Sequence, residues 1–126
     1  MLLTFTPESI EKIRKGRKYS TIRRGSRWWV WFTSPLRKKG GFPLHVWEGN
    51  PRNGGRFVAE TYSTLVYLLP GDGFSIQEAR ADGFDSVEAL VARLAELHGM
   101  TEQEVQRRGR TWSYIEFNPR PIAEAS

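Results

Sequence analysis

Up to Pro70 the apolar positions of the chain follow strand patterns interrupted by one short helix, and after Pro70 they recur with a helical period before a last strand. Residues that favour β-structure predict strands at Leu2 to Thr6, Trp28 to Phe32, Phe42 to Trp47, Arg56 to Leu69 (one bent strand or two) and Thr111 to Phe117. A helix is predicted after the first strand, because Thr6 suits the N-cap, Pro7 suits the first helical position and Gly16 is a helix stop.

Helix signals dominate the segment between Gly73 and Thr111. Ser75 and Glu78 form a capping-box pattern, which predicts a short helix that stops near Gly83. A longer helix is predicted from an apolar stripe that ends at His98-Gly99 and consists of Val87, Leu90, Val91, Leu94 and Leu97. Thr101 is expected to cap a last short helix. Strands that flank a helical insert predict an α+β fold.

The length and composition suit one soluble domain. We expect residues 1–118 to form a single domain and residues 119–126 to form a C-terminal tail. No apolar run approaches the ~20 residues of a membrane helix, and the start lacks a signal-peptide pattern, so we expect a cytoplasmic protein without membrane contact. With no cysteine and only two histidines, neither a metal site nor a cofactor is expected.

The charge of the chain is positive and unevenly distributed. The net charge is +5 and the pI is about 9.9, which favours an anionic partner, although a basic protein can also be merely soluble. Positions 12 to 39 hold eleven basic residues and no acid, and aromatic residues lie among them. Cations that neutralise phosphates and rings that stack on bases are the features a nucleic-acid contact requires.

The basic run from Gly16 to Arg24 is the first candidate for chemistry. If the chain is extended after Gly16, Lys18, Ser20 and Ile22 point one way and Tyr19, Thr21 and Arg23 the other. A turn directly after Gly16 would instead bring Lys18 and Thr21 to one cavity. The sequence leaves both geometries open.

The stretch Gly-Arg-Lys-x-x-Thr-Ile-Arg, residues 16–23, resembles the signature of the ASCH domain, a small PUA-like fold associated with RNA. Residues 81–88, with Asp-Gly-Phe at their centre, and the closing stretch 113–117 are similar to two further parts of that family. The resemblance implies a small mixed or antiparallel β-barrel with peripheral helices. The tryptophan-rich stretch, the Arg37 to Gly41 connection and the Asn50 to Gly55 loop do not match the family.

A subset of small bacterial ASCH-like proteins hydrolyses the amide of N4-acetylcytidine, and this chain resembles them in the first motif and in the closing Ile-Glu-Phe. The resemblance implies that Thr21 is the nucleophile, that Lys18 is its base or a charge stabiliser, and that Asp82 orients the lysine or binds the base. The family has a glutamate where this chain has Asp82, which is shorter by one methylene, about 1.5 Å of reach.

Two functions remain open for this motif. Lys18 and Arg23 can bind phosphates or base edges while Thr21 only donates a hydrogen bond, or Thr21 and Lys18 can hydrolyse an amide or RNA. We favour binding of RNA or a modified nucleoside by a monomer or weak homodimer, with the hydrolase as the alternative and a protein-interaction module as a third possibility. The predicted ligand-binding residues are Lys18, Ser20, Thr21, Arg23, Arg24, Arg27, Lys38 and Lys39.

Several other residues have both a structural and a functional interpretation. Of the tryptophans at positions 28, 29 and 31, two are expected in the core and the third is a candidate stacking platform. A second basic cluster consists of Arg107, Arg108 and Arg110, which either face solvent or bind phosphates. His45 is expected to be a packed polar residue, and His98 a helix C-terminal cap.

Overall fold

A computed structural model describes residues 2–34, 42–63 and 65–117. These residues form six strands and five α-helices, and a 3₁₀ turn at Pro51–Asn53 lies between the third and fourth strands. In chain order the elements are β1 (Leu2–Phe5), α1 (Pro7–Arg14), β2 (Ser20–Arg24), α2 (Arg27–Phe32), β3 (Phe42–Glu48), β4 (Arg56–Ser63), β5 (Leu65–Pro70), α3 (Ile76–Ala81), α4 (Val87–His98), α5 (Glu102–Val105) and β6 (Thr111–Glu116).

The described strands form two three-stranded sheets. The first has the order β1-β3-β4, with β1 parallel to β3 and β3 antiparallel to β4. The second has the order β2-β6-β5 and is antiparallel throughout. The α+β class is therefore confirmed, while closure of the strands into a barrel stays a prediction, because the pairings in the described part of the chain form two separate sheets.

Strand β6 lies between two hydrophobic cores. One core joins α1 to the first sheet and takes Ile115 of β6 and the following Phe117, which meets Phe5 edge to face with ring centroids 6.0 Å apart. The other core joins the second sheet to α3, α4 and α5, and it takes Trp112 and Tyr114. Because successive strand residues face opposite sides of a sheet, one strand supplies both cores.

The end of helix α1 fixes where the basic run begins. The Thr6 hydroxyl accepts a hydrogen bond from the Ser9 amide at 3.2 Å, as a helix N-cap does. At the other end, the amide of Gly16 donates to the carbonyl of Ile13 (3.0 Å) and the amide of Arg17 to that of Lys12 (2.9 Å). This pair of bonds is a Schellman motif, so the predicted helix stop at Gly16 is confirmed.

Trp28 to Phe32 is a helix and not the predicted strand. Within α2 the spacing of four residues turns Trp28 and Phe32 toward the first core, where Trp28 is 7% exposed. Trp29 and Trp31 are 37% and 47% exposed, so one of the three tryptophans is buried and not two. Residue type favoured a strand here, but helical spacing buries one apolar face without a partner strand.

Most other predicted elements are present. The capping boxes at Ser75 and Thr101 are formed, and the stretch Arg56 to Leu69 is two strands. In α4 the predicted stripe is buried at Leu90, Val91 and Leu94, whereas Leu97 is exposed. The predicted ligand-binding residues Lys38 and Lys39 and the predicted tail 119–126 lie outside the described residues.

No helix in the described part of the chain is long and apolar enough to cross a membrane.

The helical assignment of α2 predicts unequal effects of two tryptophan substitutions. Trp28→Ala should lower the free energy of unfolding by about 3 to 5 kcal/mol, because it empties a core position. Trp31→Ala should lower it by less than about 1 kcal/mol, because that ring is half exposed. Urea denaturation measures both, and equal losses would contradict the burial of Trp28 and the exposure of Trp31.

Candidate functional site

A cavity of about 550 Å³ opens beside the basic run. It lies among the ends of β1, β2 and α3, the start of α1 and the last turns of α4. This volume falls within the range of small-molecule sites in proteins. Its polar and aromatic lining residues include Thr4, Phe5, Ser9, Lys18, Thr21, Arg23, Asn50, Asp82, Phe84, Arg93 and His98.

A buried ion pair between Lys18 and Asp82 forms part of the cavity wall. The Lys18 ammonium donates a hydrogen bond to the Asp82 carboxylate and approaches the Asp82 carbonyl oxygen at 3.3 Å. The lysine is 5% exposed and the aspartate 4%. The aspartate therefore reaches the lysine although its side chain is one methylene shorter than the glutamate of the resembling family.

The surroundings of Lys18 act on its pKa in two opposite directions. Burial lowers the pKa of Lys18 well below its usual value, and the nearby positive charges of Arg23 and Lys12 lower it further. The Asp82 carboxylate acts in the opposite direction, since an anion in contact favours the ammonium form. The Phe5 ring, with its centroid 5.5 Å from the ammonium nitrogen, completes the surroundings.

The segment Asp82-Gly83-Phe84 packs against residues 12–18 with all three residues. Asp82 contacts Lys18, and the Lys12 ammonium lies 4.5 Å from the centroid of the Phe84 ring. Gly83 has φ +88°, and a Cβ atom there would lie 3.3 Å from the Cβ of Lys18. A residue with a side chain at position 83 would have a strained backbone and would contact Lys18 too closely.

Thr21 and Arg23 extend the site along β2. The Arg23 Nε–H donates to the Thr21 hydroxyl oxygen at 3.3 Å, and an Arg23 terminal amino group donates to the Thr4 carbonyl at 3.0 Å. The guanidinium also lies 5.0 Å from the centroid of the Phe5 ring. Burial lowers the pKa of Arg23 to about 10, so it still carries its charge at neutral pH. The threonine hydroxyl is thus held beside a fixed cation.

The structure separates the predicted ligand-binding residues into two groups. Lys18, Thr21 and Arg23 line the cavity with Asp82, which is the geometry expected from a turn after Gly16. Ser20 is buried in β2 and does not line the cavity, and Arg24 points into a different concavity. Arg27 lies on α2 with its guanidinium carbon 5.8 Å from the Trp31 ring centroid.

The sequence interpretation missed several cavity residues, among them Phe5, Arg93 and His98. The Phe5 ring lies near both Lys18 and Arg23, while Arg93 and His98 line the cavity from α4. The sequence offered one signal for α4: Arg93 and His98 are adjacent to Leu94 and Leu97 of the apolar stripe, so they lie at the border of its buried face. The predicted role of His98 was a helix cap; it is the last residue of α4, and its ring packs edge to face on Trp112 with centroids 5.2 Å apart.

The remaining histidine, His45, is not the packed polar residue that was predicted. It lies half exposed on β3, with its Nε2 atom 3.8 Å from Glu60 and its ring against Phe57. In the described residues no group of three or more His, Asp or Glu side chains is arranged to hold a metal ion.

Comparison with known proteins identifies the fold. No family model matches the sequence, and no curated protein matches it. Among solved structures, the ASCH protein from Zymomonas mobilis aligns over 94% of this chain and 66% of its own, with a TM-score of 0.56 and 11% sequence identity.

Two further structures give the same result. The ASCH domain from Lactobacillus crispatus aligns over 92% of this chain and 77% of its own, with a TM-score of 0.52 and 14% identity. A protein from Enterococcus faecalis of the DUF984 family aligns over 85% and 66%, with a TM-score of 0.55 and 18% identity. The chain thus spans about two thirds to three quarters of the length of these proteins. At such identities the likeness concerns the fold, and this chain has the fold of an ASCH domain.

Proposed function

We propose that the protein binds RNA, or a single modified nucleoside, by taking a nucleobase into the cavity that contains Lys18 and Asp82. The observation that carries this proposal is the buried Lys18–Asp82 pair in the wall of an open cavity. A ligand that enters there meets a cation and a carboxylate side by side. Such a pair can donate to and accept from the edge of a base at the same time.

The charges of the cavity favour an anionic or polar ligand. Lys18, Arg23 and Arg93 supply three cationic groups, whereas Asp82 is the carboxylate among the described lining residues. Arg93 also pairs with Glu96 at 3.0 Å, but that glutamate is exposed outside the cavity. Guanidinium groups bind phosphates, and the half-buried Phe84 ring also lines the cavity.

The cost of burying the pair supports a functional role. Two charges lose their hydration when they are buried, and a pair of apolar residues of similar volume is often as stable or more stable. Stability alone therefore does not account for a lysine and an aspartate at this buried position. A ligand that uses both groups does explain it.

A second candidate function is hydrolysis of an amide such as that of N4-acetylcytidine. It is favoured by the lowered pKa of Lys18 together with the fixed hydroxyl of Thr21 in the same cavity. In this reaction the Thr21 hydroxyl attacks the carbonyl carbon and passes its proton to the Lys18 amine. The C–N bond breaks and the leaving amine takes that proton. Water then hydrolyses the threonyl ester and restores the hydroxyl.

Removal of the ion pair should separate stability from binding. Lys18→Met or Asp82→Leu alone should lower the free energy of unfolding by about 3 to 5 kcal/mol, because each leaves one buried charge without its partner. The double variant should be about as stable as the native protein and should lose binding. Urea denaturation gives the stabilities, and the melting-temperature shift on adding cytidine, N4-acetylcytidine or a ten-nucleotide RNA gives the binding. If a stable double variant still shows the native melting-temperature shift, the Lys18–Asp82 pair does not contribute to ligand binding.

Substitutions of Thr21 should separate binding from hydrolysis. Thr21→Ala should leave the melting-temperature shift with N4-acetylcytidine nearly unchanged, because it removes one hydroxyl and one methyl group from a large site. If the protein is a hydrolase, the same variant should lose turnover by at least roughly 10²- to 10⁴-fold, and Thr21→Ser should keep part of it. Mass spectrometry of cytidine and of RNA fragments measures turnover. Native turnover in Thr21→Ala would contradict the nucleophile assignment.

A further inference from the structure

A second concavity, at the end of β2, is lined by arginines. Its lining residues are Arg24, Gly25, Ser26, Arg107, Gly109, Arg110 and Thr111. Three guanidinium groups thus surround a space of about 550 Å³, and no acidic residue is among the described lining residues. The arginine concavity shares no lining residue with the Lys18 cavity. It also lacks a carboxylate among its described lining residues, whereas the Lys18 cavity contains Asp82.

The arginines of this concavity are available to a ligand. In the described part of the chain the ion pairs involve neither Arg24, Arg107 nor Arg110. Arg110 is oriented because its Nε–H donates to the Glu104 carbonyl at 2.8 Å. The Glu104 carboxylate lies nearby, but it accepts the Thr101 amide at 3.1 Å within the capping box of α5.

The backbone that carries these arginines is held firmly. The Gly25 amide donates to the Thr111 carbonyl at 2.9 Å, and the Ser113 hydroxyl donates to the Gly25 carbonyl at 2.6 Å. On the opposite side the Gly71 amide donates to the Arg110 carbonyl at 2.8 Å. The loop before β6 and the turn after β2 therefore hold the backbone that carries Arg24 and Arg110 in place before any ligand binds.

The two concavities are lined by neighbouring residues of a single strand. Arg23 lines the Lys18 cavity and the next residue, Arg24, lines the arginine concavity, with Cα atoms about 3.8 Å apart. Among the described strands, β2 is at the edge of its sheet and pairs only with β6. His98 lies in the Lys18 cavity, and its pKa is lowered by burial and then by the charges of Arg24, Arg23 and Arg110.

We infer that the arginine concavity binds backbone phosphates of the same RNA strand whose base enters the Lys18 cavity. The inference rests on the proposed function and makes it more specific, because a free nucleoside has no phosphate for these arginines. Guanidinium groups are suited to phosphate, which they bind through two parallel hydrogen bonds. The preferred ligand is accordingly a polynucleotide.

The test compares two double variants that each remove two positive charges. Arg24→Gln/Arg107→Gln changes the arginine concavity at two exposed residues. Lys15→Gln/Arg80→Gln changes two exposed cations that line neither cavity. Fluorescence anisotropy measures the affinity for a ten-nucleotide single-stranded RNA between 50 and 200 mM salt, and calorimetry measures the affinity for cytidine and N4-acetylcytidine.

The arginine variant should bind the RNA at least roughly tenfold more weakly at 50 mM salt. Its slope of log affinity against log salt should be shallower by about 1.4, since each phosphate contact on a single strand contributes about 0.7. The control variant should keep a slope close to the native one, and nucleoside affinity should not change in either variant. A DNA strand of the same sequence should lose affinity in parallel, because the contacts are to phosphates.

The outcomes distinguish this inference from the proposed function. If the native protein binds RNA and both double variants have the same salt slope, the arginine concavity is not a phosphate site although the Lys18 cavity can still be a base site. Native binding of nucleosides without binding of RNA would also overturn the inference alone. If the native protein binds neither RNA nor nucleosides, the proposed function fails, and the inference fails with it.

Discussion

The contact between Lys18 and Asp82 is the interaction on which the site depends. The two residues are 64 positions apart, and their contact joins the segment after α1 to the end of α3. The Tyr19 amide reinforces the junction by donating to the Ala81 carbonyl at 2.8 Å, and Gly83 allows the two backbones to lie close together. Because both charges are buried, neither partner can be lost without leaving the other uncompensated. The same contact therefore fixes the fold locally and presents a cation and an anion to the cavity.

Pairing with strand β6 determines which side chains of β2 face the Lys18 cavity. Both faces of β6 are buried in hydrophobic cores, so its position and rotation are fixed by packing on two sides. Strand β2 pairs with it in register, with Thr21 opposite Ile115 and Arg23 opposite Ser113. A shift of one residue would exchange the faces of β2 and would place Arg24 where Arg23 now lies. The separation of the two basic spaces is thus a consequence of core packing.

The sequence predicts those parts of the structure that depend on local interactions. The capping residues Thr6 and Ser75 and the helix stop at Gly16 act within a few residues of themselves, and all are found in place. Trp28 to Phe32 was assigned wrongly, because propensity does not show whether a partner strand is available. The contact of Lys18 with Asp82 was suggested only by the family resemblance. Arg93 and His98 were missed because their approach to the cavity depends on how α4 packs.

Whether the cavity binds or transforms its ligand depends on the location of one proton. If Lys18 keeps its proton, the pair is an ammonium and a carboxylate, and Lys18 cannot accept the proton of Thr21. If the proton moves to Asp82, the pair becomes an amine and a carboxylic acid, and Lys18 can accept the threonine proton. The net charge of the pair is zero in both forms. Burial favours the second form, because neither group is charged in it, whereas direct contact between the two charges favours the first. A bound phosphate would favour the ammonium through its negative charge, so an RNA ligand with phosphates near Lys18 favours binding over hydrolysis.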